Sequence, residues 1–122
     1  MDIKELIDKY FFKDSPVHIE FLSNNKRIFI KLTGSLDLQS SSALQDLMIQ
    51  IIARMDLGIK LVVDLQNVSY IPSSGVGALM MALTTAKKRD ITFQLSNIQP
   101  KVRTVFELLG FMSFFEEATC DD

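Results

Sequence analysis

Cysteine and histidine are nearly absent from this chain of 122 residues, which has one of each, Cys120 and His18. A lone cysteine rules out an intrachain disulfide and a Cys-x-x-Cys zinc knuckle. A lone histidine leaves little for a histidine-based metal or catalytic site, and its place in an alternating run reads as the solvent side of a strand. Cys120 reads as a tail residue without function. A basic excess is missing too. Thirteen Lys and Arg against fifteen Asp and Glu give a formal charge of −2, which argues against a dedicated nucleic-acid binder. No apolar run approaches the ~20 residues needed to span a bilayer. The N-terminus, MDIKELIDKYFFKD, scatters charges where a secretory signal needs an apolar stretch. These absences lead to the expectation of a soluble cytoplasmic domain with no membrane insertion and no cofactor or metal.

What is present suffices for one folded domain. At 13.8 kDa, a folded monomer exposes about 6,600 Å² of the roughly 20,000 Å² its unfolded chain presents. Apolar residues make up 48 % and charged residues 23 %, an ordinary globular balance. Six methionines and nine phenylalanines, with a mean hydropathy of +0.20, leave apolar surface to spare.

The periodicity orders the chain. Ile3, Leu6, Ile7, Tyr10 and Phe11 recur at helical spacing over residues 2–12, and Asp14-Ser15-Pro16 stops the run. Val17, Ile19 and Phe21, then Ile28, Ile30 and Leu32, alternate around the turn cluster Ser23-Asn24-Asn25 and predict a hairpin. A second helix follows Ser40-Ser41-Ser42, with Ser42 and Gln45 read as its capping box; Leu44, Leu47, Met48, Ile51, Ile52 and Met55 form its stripe, and Gly58 lies past its end. Leu61–Leu65 predicts a strand buried on both faces, with 66–72 as connector. A third helix is expected over 74–88, then a strand alternating Ile91, Phe93 and Leu95. A fourth helix opens at Pro100 and closes at Gly110, before a helical turn and an ordered or frayed tail. The order α-β-β-α-β-α-β-α implies one α/β domain with a mixed sheet and helices mainly on one side.

Enzyme signatures fail on inspection. Gly75-Val76-Gly77 follows a strand, but Met80 stands where a dinucleotide fingerprint needs its third glycine. No Gly-Lys-Ser or Gly-Lys-Thr supplies a phosphate loop, and Ser73 and Ser74 do not lie in Gly-x-Ser-x-Gly. The carboxylates are too scattered to nominate a catalytic pair. The unusual segment is Tyr70–Gly77. Pro72 fixes the chain before a helix and places Ser73 or Ser74 at its N-cap. Gly75 and Gly77 in the first turn cost about 1 kcal/mol each relative to alanine, which suggests close backbone approach or backbone freedom. A helix start of this kind suits an anion or a phosphorylated hydroxyl. The simpler account is a serine that only caps a helix, with glycines that only allow tight packing. The following residues, Val76 and Ala78 to Leu83, are apolar all round, so part of this helix is expected to form a docking patch, unless the N-terminal helix or the tail covers it. Lys87-Lys88-Arg89 reads as a solvated helix end. Lys101 and Arg103, near a helix start, are candidates for a partner or anion contact.

Val62-Val63-Asp64-Leu65, Val68-Ser69-Tyr70-Ile71 and Ser73-Ser74-Gly75-Val76-Gly77 together resemble the signature of the STAS domain, the fold of bacterial anti-sigma factor antagonists. Leu32-Thr33-Gly34-Ser35-Leu36-Asp37 is similar to the family's Gly-x-Leu-Asp turn. Asn97 to Arg103 with Leu108 to Phe111 resembles its last helix. The likeness runs over about residues 17–118. It implies a single STAS-like domain over residues 15–122, with a four- to five-stranded mixed sheet, and an extra N-terminal amphipathic helix in residues 1–14. It further implies a non-enzymatic, phosphorylation-switched binding module. Its partners would be a serine-kinase anti-sigma factor and a serine phosphatase. The acceptor would be Ser73, with Ser74 as second candidate. Asp37, Pro72, Ser74, Gly75, Val76, Gly77 and Met80 would meet the partner, and Asp37 would orient the acceptor hydroxyl and repel its phosphate. Apart from the resemblance, residues 2–12 are candidates to pack on the chain's own sheet or to form a homodimer or partner contact, and the sequence does not decide between them. One departure stands out: the family usually has aspartate where this chain has Pro72. That departure favours the alternative of an unphosphorylated STAS scaffold subunit in a signalling or transport assembly. A small-ligand or nucleotide binder is a further alternative, against which stands the missing phosphate-loop lysine.

Overall fold

The structure, a computed structural model, describes residues 2–12 and 14–118; Cys120 lies outside them. Helix α1 (Ile3–Tyr10) begins at Asp2, whose carboxylate accepts the Glu5 amide at 2.8 Å. Its Leu6 and Ile7, with Phe11 just beyond, are buried in the common core. Strands β1 (His18–Ser23) and β2 (Arg27–Ser35) form the expected hairpin. The Asn24 side-chain oxygen closes the turn by accepting the Lys26 and Arg27 amides at 2.8 and 2.9 Å. Then come α2 (Leu38–Arg54), β3 (Lys60–Tyr70), α3 (Ser73–Lys88), β4 (Phe93–Ser96), α4 (Pro100–Leu108), a 3₁₀ turn (Met112–Phe114) and β5 (Glu116–Glu117).

The sheet order is β1-β2-β3-β4-β5, with β1 antiparallel to β2 and every later pair parallel. Each step from β2 to β5 moves one place in the same direction. Because such crossovers are right-handed, α2, α3 and α4 fall on one face of the sheet. The core lies between: Ile30, Leu32, Leu61, Val63, Leu65 and Leu95 from the sheet meet Leu47, Met48, Leu79 and Phe106 from the helices, all fully buried. Accessible surface is 6874 Å², close to the value expected of a folded monomer of this mass.

The second face carries the alternate residues of each strand, among them Phe29, Lys31, Val62, Asp64, Gln94 and Ser96. Asp64 is buried there, and its carboxylate accepts from Ser96 Oγ at 3.0 Å, Asn97 Nδ2 at 2.6 Å and the Gln66 amide at 2.9 Å. All four residues of β4 are therefore buried, where the sequence pattern implied one buried face.

Four expectations change. The second helix starts at Leu38, capped by Asp37, so the Ser42–Gln45 box is not the one used: Asp37 and Ser40 form it. The chain leaves β2 extended, and the first carboxylate to meet a free amide is Asp37; the serines then lie inside the first turn, where Ser40 and Ser41 are buried. Strand β3 runs to Tyr70 rather than stopping at Leu65, because irregularities in β2 at Lys31/Thr33 and Gly34/Ser35 let pairing continue through Thr33↔Asn67 and Ser35↔Tyr70. The tail after its 3₁₀ turn adds an edge strand beside β4, held by Phe115, whose ring lies 5.3 Å from Phe106 and 6.3 Å from Phe93. The basic end of α3 is not wholly solvated. The Arg89 guanidinium donates to the Ile52 carbonyl and, at 3.4 Å, to that of Met55, satisfying the open end of α2. Arg103 likewise pairs with Glu117 (Nη1 to Oε2 3.2 Å), joining α4 to β5.

Candidate functional site

The serines stand where two helices begin side by side. Ser35 pairs with Tyr70 at the end of β2 and β3, and the Leu36 amide donates to the Tyr70 carbonyl at 3.1 Å. The chains then diverge into α2 and α3. Their first turns touch: a Cβ placed on Gly75 would lie 3.2 Å from Ser41 Oγ and 2.7 Å from Ile71 Cγ1. Gly75 is thus the close approach that the sequence suggested, and it sets the spacing between the two helix starts. Gly77 is different, with open space where its Cβ would be. It is a bare stretch of helix surface.

Ser73 and Ser74 are not the N-cap. That position belongs to Pro72 (φ −78°, ψ 168°), which has no side-chain acceptor to offer. With the extended Pro72 at the N-cap, the helix begins at Ser73, one residue earlier than a Ser73 cap would place it. The Pro72 carbonyl accepts the Gly75 and Val76 amides at 2.9 and 3.2 Å. The Ser73 and Ser74 amides have no acceptor among the described residues. Ser73 is exposed and Ser74 half-buried. The positive end of the α3 dipole therefore faces outward with two free donors beside an exposed hydroxyl, an arrangement that favours negative charge.

Asp37 closes the neighbouring helix. Its Oδ1 accepts the Ser40 amide at 2.7 Å and the Ser40 hydroxyl at 2.8 Å, while Ser40 Oγ accepts the Asp37 amide at 2.8 Å. The bond from the Ser40 amide, then that from its hydroxyl, hold the Asp37 carboxyl below its ordinary value of 3.8, so it stays charged. Among the described residues no hydrogen bond joins Asp37 to either serine.

Gly75 and Val76 are buried, the first against Ile71 and Ser41, and neither meets a partner directly as the sequence suggested. Met80 is half-buried and Met81 is 45 % exposed. Most of the apolar run on α3 is covered by the sheet and by α2, so the patch is narrower than the sequence implied. Sequence reading missed two contributors at this end of the molecule. Leu38 is 76 % exposed directly after the Asp37 cap, and Tyr70 is 57 % exposed at the end of β3. The signal for Leu38 was an apolar residue in the first turn of a helix whose stripe begins only at Leu44. Tyr70 could not be placed while β3 seemed to end at Leu65.

A one-way parallel winding behind an antiparallel hairpin, with the exposed Ser73 at an open helix start, defines a small mixed α/β module. The chain belongs to the STAS domain family: residues 20–115 match the profile described as "Mlab, STAS domain". It is 26 % identical over 94 residues to the anti-sigma-B factor antagonist of Staphylococcus aureus (strain NCTC 8325 / PS 47), covering 77 % of this chain and 85 % of the relative. To the anti-sigma-B factor antagonist of Bacillus subtilis (strain 168) it is 21 % identical over 100 residues, 82 % of this chain and 89 % of that one. Its fold is similar to that of the anti-sigma factor antagonist SpoIIAA in its unphosphorylated form and of the Bacillus cell fate determinant SpoIIAA in its phosphorylated form. The unphosphorylated form matches with a TM-score of 0.70 at 21 % identity, over 85 % of this chain and 90 % of the other. The phosphorylated form matches with a TM-score of 0.64 at 20 % identity, over 85 % and 94 %.

Proposed function

We propose that this chain is an anti-sigma factor antagonist that works by partner switching. Unphosphorylated, it binds a serine-kinase anti-sigma factor through the surface around Ser73. Phosphorylation of Ser73 by that partner releases it, and a serine phosphatase resets it. The observation that carries this reading is the exposed Ser73 hydroxyl at the first position of α3, beside two free amides and next to the helix start that Asp37 caps. A phosphate there adds about −1.5 to −2 charges. It sits favourably on the helix end and unfavourably against a partner that had packed on a neutral serine and the Asp37 carboxylate. A change of 10- to 100-fold in affinity needs only about 1.4–2.8 kcal/mol, within reach of close surface charges.

The test compares Ser73→Ala and Ser73→Glu for binding to purified serine-kinase anti-sigma factors of the same genome. The switch requires binding by the wild type and Ser73→Ala, loss in Ser73→Glu, and phosphate on Ser73 by mass spectrometry after incubation with Mg-ATP. Pro72 favours a second reading, an unphosphorylated STAS scaffold subunit of a signalling or transport assembly, because the acceptor loop lacks the family's usual carboxylate. Binding indifferent to both substitutions, with no phosphate on Ser73 or Ser74, selects that reading.

A further inference from the structure

The two edges of the sheet differ. The β5 edge is two residues long, and both are acidic, Glu116 and Glu117. The β1 edge runs from His18 to Ser23 in unbroken register with β2. It holds no lysine, arginine, proline or bulge, the usual devices that keep a free edge from pairing. Which of its backbone groups face outward follows from the hairpin turn. The Asn24 amide donates to the Arg27 carbonyl at 3.0 Å, so Asn24 and Arg27 form a hydrogen-bonded pair. Such pairs recur at every second position of an antiparallel ladder. Leu22 with Phe29, Glu20 with Lys31 and His18 with Thr33 therefore bond inward. The N–H and C=O groups of Ile19, Phe21 and Ser23 point away from the sheet, and none of them has a partner among the described residues.

We propose that β1 pairs antiparallel with β1 of a second copy of this chain, about a two-fold axis at Phe21, and so joins two sheets into one. The strand is complementary to itself, and its own residues fix the register. A two-fold that continues the sheet keeps its faces, so each residue meets one from the same face. An axis at Glu20 would set the two Glu20 carboxylates against each other. An axis at Ile19 would call on the Val17 amide, which already donates to Ser15 Oγ at 3.2 Å, at an end flanked by Ile7, Phe11 and Phe12. An axis at Phe21 uses only free groups. Phe21 exchanges a pair of bonds with Phe21 of the second copy, and Ile19 of each copy exchanges a pair with Ser23 of the other. On the far face Glu20 lies opposite Leu22 of the second copy, so no like charges meet. Leu22, 73 % exposed in one chain, is covered in the same step.

Sedimentation of the full chain over a concentration series up to about 1 mM tests this, with folding checked by urea denaturation. The variants are Leu22→Glu, Leu22→Lys and Ser23→Pro. The first sets a carboxylate opposite Glu20 of the other copy on both sides of the axis, and the second sets an ammonium there. The third removes an outward N–H and leaves the ladder between β1 and β2 intact. The expected result is a wild-type monomer–dimer equilibrium that is weaker by roughly 10-fold in Leu22→Glu, weaker in Ser23→Pro, and at least as tight in Leu22→Lys, at unchanged urea midpoints. A wild type that stays monomeric across the series overturns the proposal. A dimer that both Leu22 substitutions weaken alike, or that Ser23→Pro leaves unchanged, overturns it too. Hydrogen exchange at the Ile19, Phe21 and Ser23 amides that slows only when a different protein is added gives the edge to that protein and overturns the second copy. None of these outcomes bears on Ser73, so the partner-switching reading is tested separately.

Discussion

Gly75 and Gly77 lie two residues apart in the same helix, yet their surroundings set them opposite roles. A Cβ on Gly75 would press against Ile71 Cγ1 at 2.7 Å and Ser41 Oγ at 3.2 Å, whereas nothing lies within 4 Å of one on Gly77. Gly75→Ala should therefore destabilise by about 1–3 kcal/mol, the usual cost of overpacking. Gly77→Ala should stabilise by up to about 1 kcal/mol, the helix-propensity difference. Urea denaturation of the two variants checks both signs. Asp37 gives a pH prediction. Its carboxyl is held below its ordinary value of 3.8 by the Ser40 amide and hydroxyl. A depressed carboxylate contributes stability that is present above the unfolded value and disappears as pH falls through the lower folded value. Asp37→Asn keeps a capping oxygen but removes the titration. Its urea midpoint should fall less than that of the wild type as pH drops from 5 to 2. An equal fall in both would refute the assignment. At this scale the sequence was partly legible: Gly75 and Asp37 were singled out, but why each matters depends on Ser41, Ile71 and Ser40 arriving beside them.

The open end of α3 is a property of the element as a whole. Pro72 occupies the N-cap without a side-chain acceptor, and the Ser73 and Ser74 amides stay unpartnered among the described residues. Pro72→Asp would supply an acceptor worth about 0.5–2 kcal/mol. It would also return the unfolded-chain entropy that proline removes, about 0.4–1 kcal/mol. The two nearly cancel, so the expected stability change is under about 1 kcal/mol. The signature of the cap is instead slower hydrogen exchange at the Ser74 amide, and unchanged exchange there would contradict it. A negative group at Ser73 should act in the same direction. The start of α3 was misplaced by one residue in the sequence because serine is the better intrinsic cap. The extended Pro72, delivered by a β3 longer than its apolar run, overrides that preference.

Two segments at the ends of the chain help to close the molecule. Leu6 and Ile7 of α1, with Phe11, belong to the same core as the sheet and helices, and Phe115 anchors β5 between Phe93 and Phe106. Leu6→Ala should cost about 2–5 kcal/mol and Phe115→Ala about 3–5 kcal/mol. Thermal or urea unfolding should then show a single cooperative transition shifted down in each variant. If Leu6→Ala leaves the main transition in place, α1 is an independent appendage. Gly34 shows how tightly the N-terminal segment crosses the sheet: with φ +122°, its Cβ position lies 2.4 Å from the Pro16 carbonyl oxygen. Pro16 also lines, with Phe12, Asp14 and Asp37, one cavity between the end of α1 and the start of α2.

By itself the sequence determined the order of elements from α1 to α4, the mixed α/β class and the segment that carries the exposed Ser73. Each follows from short-range pattern: apolar period, proline and glycine punctuation, and a local run of small and hydroxyl residues. Tertiary structure alone decided that Gly75 meets Ser41, that Arg89 and Arg103 are held by Ile52 and Glu117, and that Asp64 is bonded by Ser96 and Asn97. Those outcomes need residues separated by up to dozens of positions to meet. Which of them meet is set by the pairing of strands and the crossing of helices, and no window of the sequence contains that information.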